Sequence, residues 1–273
     1  MEATIDQKRS EMEWHDNFYS QLGISEYPKD RDAFLRYFER VHLVPYEEGG
    51  WSWWGDIRKE IMAEVGNPTG KRVLDYGCGS GSLGMYLALL GANVIGFDLS
   101  SEGIKIAQRA AIQYQVSARF DQMDAENLTY PDESFDLIIG FGVLHHVIKY
   151  SGASEHLRRI LAPGGMAIFA ETLWDNPAIN ICRRFTVTDD DAGDAKLTEA
   201  SIQRFALGFP KVELRKRHLL YLLKRLSGLP IRDVSRPLKP RPLWQFIHRF
   251  DELILRIPGL RSMCGEVIVI LRK

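Results

Sequence analysis

Four glycines, at positions 77, 79, 81 and 84, fall within eight residues of the stretch VLDYGCGSGSLG, directly after the acidic Asp75 and Tyr76. Glycine at that density lets a backbone pass close to a ligand, because no Cβ stands in the way. Two more acidic residues follow at wider spacing, Asp98 in VIGFDLS and Asp124 in FDQMDAENL. Hydrogen bonds to an ionised acceptor are about twice as strong as neutral ones. Two such carboxylates can therefore hold two different polar edges of one ligand. Further on, His145 and His146 in GFGVLHHV and Glu171 at the end of MAIFAE are candidates for proton transfer. Each has a plainer reading as well. Asp98 and Asp124 are suitable helix or turn caps, the histidines can simply pack, and Glu171 can meet solvent at a strand end.

The segment GSGSLG, residues 79–84, fits the G-x-G-x-x-G pattern of dinucleotide sites, with Asp98 at the expected distance. Its register argues for another ligand. In a dinucleotide site the first glycine follows the strand directly, whereas Asp75, Tyr76, Gly77 and Cys78 intervene here. A pyrophosphate needs bare N–H donors and positive potential, which Asp75 opposes. A ligand carrying a cationic amine suits it better.

The elements that must position these residues are legible from Arg72 onward. RVLDY, NVIGF, ARFDQ, FDLIIGF and MAIFAE read as strands, alternating with the helical patterns SLGMYLALL, SEGIKIAQRAAIQYQ and LRRILAPGG. This alternation implies right-handed crossovers and a mostly parallel sheet covered on both faces. Ligands in such sheets bind at the carboxyl ends of the strands, where the glycine loop falls. Residues 11–65 read as helical and aromatic-rich, broken at Pro28 and Pro45. FPKVELRKRH and EVIVILRK fit two late strands, with about 45 residues between them.

With DYGCGSG, Asp98, Asp124, FDLIIGFGVLHHV and LRRILAPGGMAIFAE in this order, residues 70–172 resemble the class I S-adenosylmethionine-dependent methyltransferases of the small-molecule type. The resemblance implies an α/β fold with a Rossmann-like, seven-stranded, mostly parallel sheet and an antiparallel last strand. Its expected parts are an amino-terminal helical lid (1–69), the cofactor-binding core (70–217), a basic and apolar helical insertion (218–262) and the last core strand (263–273). It also implies S-adenosyl-L-methionine as cofactor. Asp75, Gly77, Cys78, Gly79, Gly81 and Leu83 would surround its methionine portion. Asp98 and Leu99 would meet the ribose, Asp124, Ala125 and Glu126 the adenine, and Gly140 and Phe141 the opposite wall. Members acting on DNA bases or glutamine amides carry Asn/Asp-Pro-Pro-aromatic where this chain has Gly140-Phe141-Gly142-Val143, which argues against those acceptors. Glu171, His145 or His146 would be the base, if one is used. Tyr19, Tyr46, Trp51 and Trp54 are candidates for an aromatic acceptor pocket under the lid.

The 273 residues are 45% hydrophobic and 26% charged, the balance of a folded soluble protein. No apolar run approaches the roughly 20 residues of a membrane span, and the polar amino terminus lacks a secretory centre. Cys78, Cys182 and Cys264 suit neither a disulfide framework nor a zinc site, so a reducing cytoplasm and no metal are expected. The net charge of −1 conceals a division: residues 211–261 carry 13 Lys and Arg against 4 Asp and Glu. Such asymmetry points to an anionic partner, either an anionic head on an apolar or lipid-like acceptor or a membrane surface. A tRNA acceptor is the alternative; it would show steep salt dependence, but no RNA-binding module is recognisable. A non-catalytic relative that binds the cofactor is a further alternative. The acidic run TDDDAGDAK, 188–196, reads as a solvated loop.

Overall fold

The computed structural model describes residues 5–21, 27–50, 52, 54–150, 152–176, 180, 195–220, 223, 239–257 and 259–273, with backbone alone for 5–7 and 21. Trp51, Cys182, the acidic run up to residue 194 and most of 221–238 lie outside the described residues.

Seven strands form one sheet: β1 (Arg72–Tyr76), β2 (Asn93–Asp98), β3 (Ala118–Gln122), β4 (Phe135–Phe141), β5 (Leu161–Thr172), β6 (Lys211–Arg217) and β7 (Glu266–Arg272). Their order is β3-β2-β1-β4-β5-β7-β6, with β7 antiparallel to both neighbours and the rest parallel. This is the expected sheet. Its central strands are apolar on both faces because both are covered, whereas the edge strands β3 and β6 are polar and partly exposed. Val73, Leu137, Ile139 and Ile168 face one core and Leu74, Tyr76, Ile138 and Phe169 the other.

The first core is closed by α2 (Arg31–Phe38), α3 (Gly55–Val65), α4 (Ser82–Leu89) and α5 (Ser101–Tyr114). Phe38 stacks on Tyr86 with ring centroids 4.2 Å apart, fixing α2 to α4. The second core takes α7 (Ala153–Ile160) and α8 (Glu199–Phe205). Three further helices border the carboxyl ends of the strands or the late insertion: α1 (Ile5–Gln21), α6 (Leu144–Val147) and α9 (Pro242–Ile254). Between Arg217 and Glu266, α9 is the α-helix among the described residues. It is anchored by Asp251, whose two oxygens accept the Leu219 and Leu220 N–H groups at 2.8 Å each.

Successive crossovers from β1 run to opposite sides, so the sheet's switch point lies between β1 and β4. The loop leaving β1 there has positive φ at Gly77 (+66°), Gly79 (+53°) and Gly81 (+78°). At Gly81 a Cβ would also stand 2.6 Å from the Ala107 methyl carbon. Asp75 Oδ2 accepts the Gly84 N–H at 2.8 Å, so the carboxylate preceding the loop satisfies a donor in the first turn of α4. Asp75 is 2% exposed, and burial pushes its pKa up to about 7.

An acid with a higher pKa folded than unfolded binds more protons in the folded state between the two values. Its contribution to stability is therefore largest at acid pH and fades as pH rises from about 4 to 7. Asp75→Asn abolishes that fading while keeping an acceptor for Gly84. The stability of the variant relative to wild type should rise by up to about 4 kcal/mol between pH 4 and 8 in parallel urea titrations. A difference flat with pH would mean that Asp75 titrates as an ordinary carboxylate.

Candidate cofactor and acceptor site

A cavity of about 130 Å³ opens at the carboxyl ends of β1, β2 and β4, beneath α1. Of the residues expected at a cofactor, Gly77, Asp98, Leu99, Asp124, Ala125 and Phe141 line it. Asp75, Cys78, Gly79, Gly81, Leu83, Glu126 and Gly140 stand outside this lining. Asp75 is turned under the loop toward Gly84 rather than toward a ligand amine. The Cys78 N–H donates to the Phe97 carbonyl at 2.9 Å, and burial pushes its thiol pKa well up. Leu83 is buried in the first core. Gly140 lies so close to β1 that a Cβ would meet the Tyr76 carbonyl oxygen at 2.8 Å.

Asp98 closes β2 and ties the glycine loop to it. Its Oδ2 accepts the Gly79 N–H at 2.7 Å and its Oδ1 the Ser100 N–H at 2.9 Å. Burial raises its pKa, against the lowering effect of those two donors. Each oxygen retains a lone pair, enough for one ligand hydroxyl apiece. Asp124 Oδ1 accepts the Glu126 N–H at 2.9 Å, while Lys8 from α1 donates to its Oδ2 at 2.6 Å and also pairs with Glu126.

α1 lies across the cleft on residues spaced three or four apart, which share one face of a helix. Besides Lys8, Glu11 reaches His146 Nδ1 at 3.0 Å and Lys149 at 3.6 Å. Asp16 accepts from Ser100 Oγ at 2.5 Å and from the Glu102 N–H at 3.1 Å. The Tyr19 hydroxyl occupies the space where a Gly79 side chain would stand, 2.0 Å from the position of its Cβ. The sequence reading singled out Tyr19 on this helix but not Lys8, Glu11, His15 or Asp16. The available signal was the three- and four-residue spacing of its charges.

The candidate bases divide. Glu171 is 1% exposed and committed to protein: Oε1 accepts the Val143 and Leu144 N–H groups at 2.9 and 2.6 Å. Its Oε2 accepts from His145 Nδ1 at 2.8 Å. It holds the start of α6 and orients His145. His146 lines the cavity, with its ring centroid 4.1 Å from that of His145.

The aromatic candidates also separate. Tyr19 lines the cavity. Trp54 stands beyond it, its ring 3.6 Å from where a Gly142 Cβ would be, and its indole N–H donates to Glu266 at 2.5 Å. Tyr46 is elsewhere, under Arg241, whose guanidinium lies 4.0 Å from its ring centre.

Two groups of three donors could hold a metal ion among the described residues: Glu11, His15 and His146, and Asp56, His218 and His248. Within each group the ligand atoms lie within 4.8 Å of one another. In the second group His218 bridges Glu266 and Asp56, the latter at 2.6 Å. Residues from four distant parts of the sequence meet there, so local spacing gave no sign of it.

Residues 74–169 match the family model described as a methyltransferase domain. A ubiquinone biosynthesis O-methyltransferase of Pseudomonas syringae pv. tomato is 31% identical over 152 residues, 51% of this chain and 65% of that protein. One from Paraburkholderia phymatum is 38% identical over 115 residues, covering 42% of this chain and 50% of its own. The chain thus spans between half and just under two-thirds of the length of these curated relatives. Among solved structures, the [4+2]-cyclase SpnF superposes with a TM-score of 0.60 at 18% identity, covering 96% of this chain and 94% of its own. An S-adenosylmethionine-dependent methyltransferase from Mesorhizobium loti gives 0.53 at 21% identity, covering 79% and 96%. These two likenesses are of fold. Together with the strand order, the glycine loop and the carboxylates at the ends of β2 and β3, the match over residues 74–169 supports a methyltransferase domain of the class I S-adenosylmethionine-dependent type in this part of the chain.

Proposed function

We propose that the chain transfers a methyl group from S-adenosylmethionine to an oxygen of a small, apolar or lipid-like acceptor. The observation that carries this reading is the placement of Asp98 and Asp124 on one cavity beside the Gly77 backbone. Asp98 would take the ribose hydroxyls and Asp124 the adenine amino group, with the methionine portion against the glycine loop. Bound there, the cofactor supplies an electrophilic methyl on a sulfonium. The protein's part is orientation, exclusion of water, and a proton acceptor. His146 at the cavity wall is the group placed to take a hydroxyl proton, and Glu171 acts through His145 rather than on a ligand. Oxygen as the methylated atom is favoured by the O-methyltransferase names of the relatives.

The cavity is smaller than the roughly 300–1,000 Å³ of pockets that bury a small ligand. Entry of a cofactor therefore requires α1 to shift, with the Lys8 pair to Asp124 giving way to the adenine. Calorimetric titration with S-adenosylhomocysteine tests this. Asp98→Ala should weaken binding about tenfold or more, Lys8→Met should tighten it several-fold, and NAD(H) should give no heat. Unchanged affinity in Asp98→Ala would remove the cofactor from this cleft.

A specific observation supports a lipid-like acceptor met at a membrane surface. On α9, Leu243, Phe246, Phe250 and Leu253, continued by Ile257, are 43–66% exposed at alternating spacings of three and four residues. The exposed Arg249 and Arg256 flank this stripe, and Lys239 and Arg261 stand near its ends. Apolar residues bordered by arginines suit an anionic lipid interface. The chain should co-sediment with vesicles of phosphatidylcholine and phosphatidylglycerol but not of phosphatidylcholine alone. Phe246→Glu with Leu253→Glu should abolish this at unchanged S-adenosylhomocysteine affinity. Equal sedimentation of the double variant would refute it, as would self-association through the stripe in place of lipid binding.

A further inference from the structure

Arg58, in the first turn of α3, is partly buried without a counter-ion. No carboxylate lies within ion-pair distance of it among the described residues; its Nη1 meets His42 Nδ1 at 2.7 Å and Ser52 Oγ at 3.3 Å. Its Nε is buried with no hydrogen-bond partner. Burial alone acts on the group, pulling its pKa down to about 10, so it stays cationic at neutral pH. Carboxylates are not scarce on this helix. Glu60 and Glu64 of α3 pair instead with Arg215, Arg217 and Arg272. An unpaired charge taken out of water is costly, and a guanidinium offers a planar fork that a carboxylate or phosphate matches with two parallel hydrogen bonds.

The position of Arg58 gives that fork a direction. Its guanidinium carbon lies 5.0 Å from the centre of the Phe141 ring. Phe141 and Gly142, at the end of β4, line the cofactor cavity. Trp54, one turn earlier on α3, lies against Gly142. An anion held by Arg58 would therefore sit beside the end of β4, on the acceptor's side of the cleft.

We propose that Arg58 is the counter-ion for an anionic group of the acceptor, a carboxylate or a phosphate monoester, bound through the free edge of its guanidinium. The proposal rests on the methyl-transfer reading and locates the anionic head in the folded core rather than on the basic insertion. It makes Arg58 a specificity residue: neutral analogues of the acceptor would leave its charge buried and unanswered.

The test titrates sodium benzoate and phenyl phosphate separately into the full chain, with and without S-adenosylhomocysteine, following calorimetric heat and thermal midpoint. At least one anion should bind wild type, and the preferred one identifies the head group. Arg58→Met should weaken that binding about tenfold or more, and Arg58→Lys, which keeps the charge but loses the fork, should fall between. Arg58→Met should also melt no lower than wild type, because it removes an uncompensated charge. The proposal is overturned if neither anion binds wild type, if Arg58→Met binds as tightly, or if both variants fail to fold, which would make Arg58 structural. Failure of the methyl-transfer reading looks different: wild type then takes up no S-adenosylhomocysteine, while the anion titrations without it still report on Arg58.

Discussion

The cleft is shaped by carboxylates that spend lone pairs on the backbone of the loops beside them. Asp75 takes the Gly84 N–H, Asp98 those of Gly79 and Ser100, Asp124 that of Glu126, and Glu171 those of Val143 and Leu144. Loops at the ends of parallel strands leave N–H groups that no ladder satisfies, and an ionised acceptor is the strongest partner for them. An ionised carboxylate has about four acceptor positions. What remains after the backbone is served decides what each can do. Asp98 keeps two positions facing a cavity, so it can hold a ligand; Glu171 gives three bonds to protein in a closed setting, so it can only orient.

The helix over the cleft is held by the same kind of contact. α1 docks through Lys8, Glu11, Asp16 and Tyr19 rather than through an apolar stripe. A lid fastened by oil would cost its full apolar burial each time it opened. Partly exposed ion pairs such as Lys8–Asp124 exchange for water at little net cost, being worth only about 1 kcal/mol or less, whereas Glu11 is buried and held more firmly. Fastening by charge would suit an element that has to open for a ligand. Lys8 then rests on an acceptor that the proposed cofactor would need, and compensates Asp124 in this closed arrangement.

The centre of the sheet was legible because its strands are buried on both faces and read as continuous apolar runs, with glycines where the loop must adopt positive φ. Asp98 and Asp124 were legible for the same reason, since strand ends fix where they point. What failed to show was set by partners distant in sequence. Tyr46 looked like part of an aromatic pocket, but its ring is covered by Arg241 from the late insertion. Glu171 stood at the right strand end for a base, yet nothing local announces that its oxygens are consumed by residues 143–145. Arg58 carries no motif at all. Its meaning lies in the absence of a counter-ion among the described residues, which becomes visible only when the acids of its own helix are found paired with other residues.

The fold by itself does not choose the chemistry, as its closeness to a structure named as a [4+2]-cyclase shows. A nucleoside clamp of Asp98 and Asp124 would serve any enzyme that holds this cofactor, whatever bond is made next. The discriminating residues therefore have to be those that face the other reactant. Under the proposed function these would be His146 on the cavity wall, Glu171 holding His145 beside it, and Trp54 and Arg58 at the start of α3, next to Gly142 and Phe141. A proton acceptor and a cation near one short loop would suit an acceptor with two features, a hydroxyl at one end and a negative charge at the other. Such a molecule is fixed at both ends before any bond is broken, and orientation of that kind is the larger part of what a methyl transfer asks of a protein.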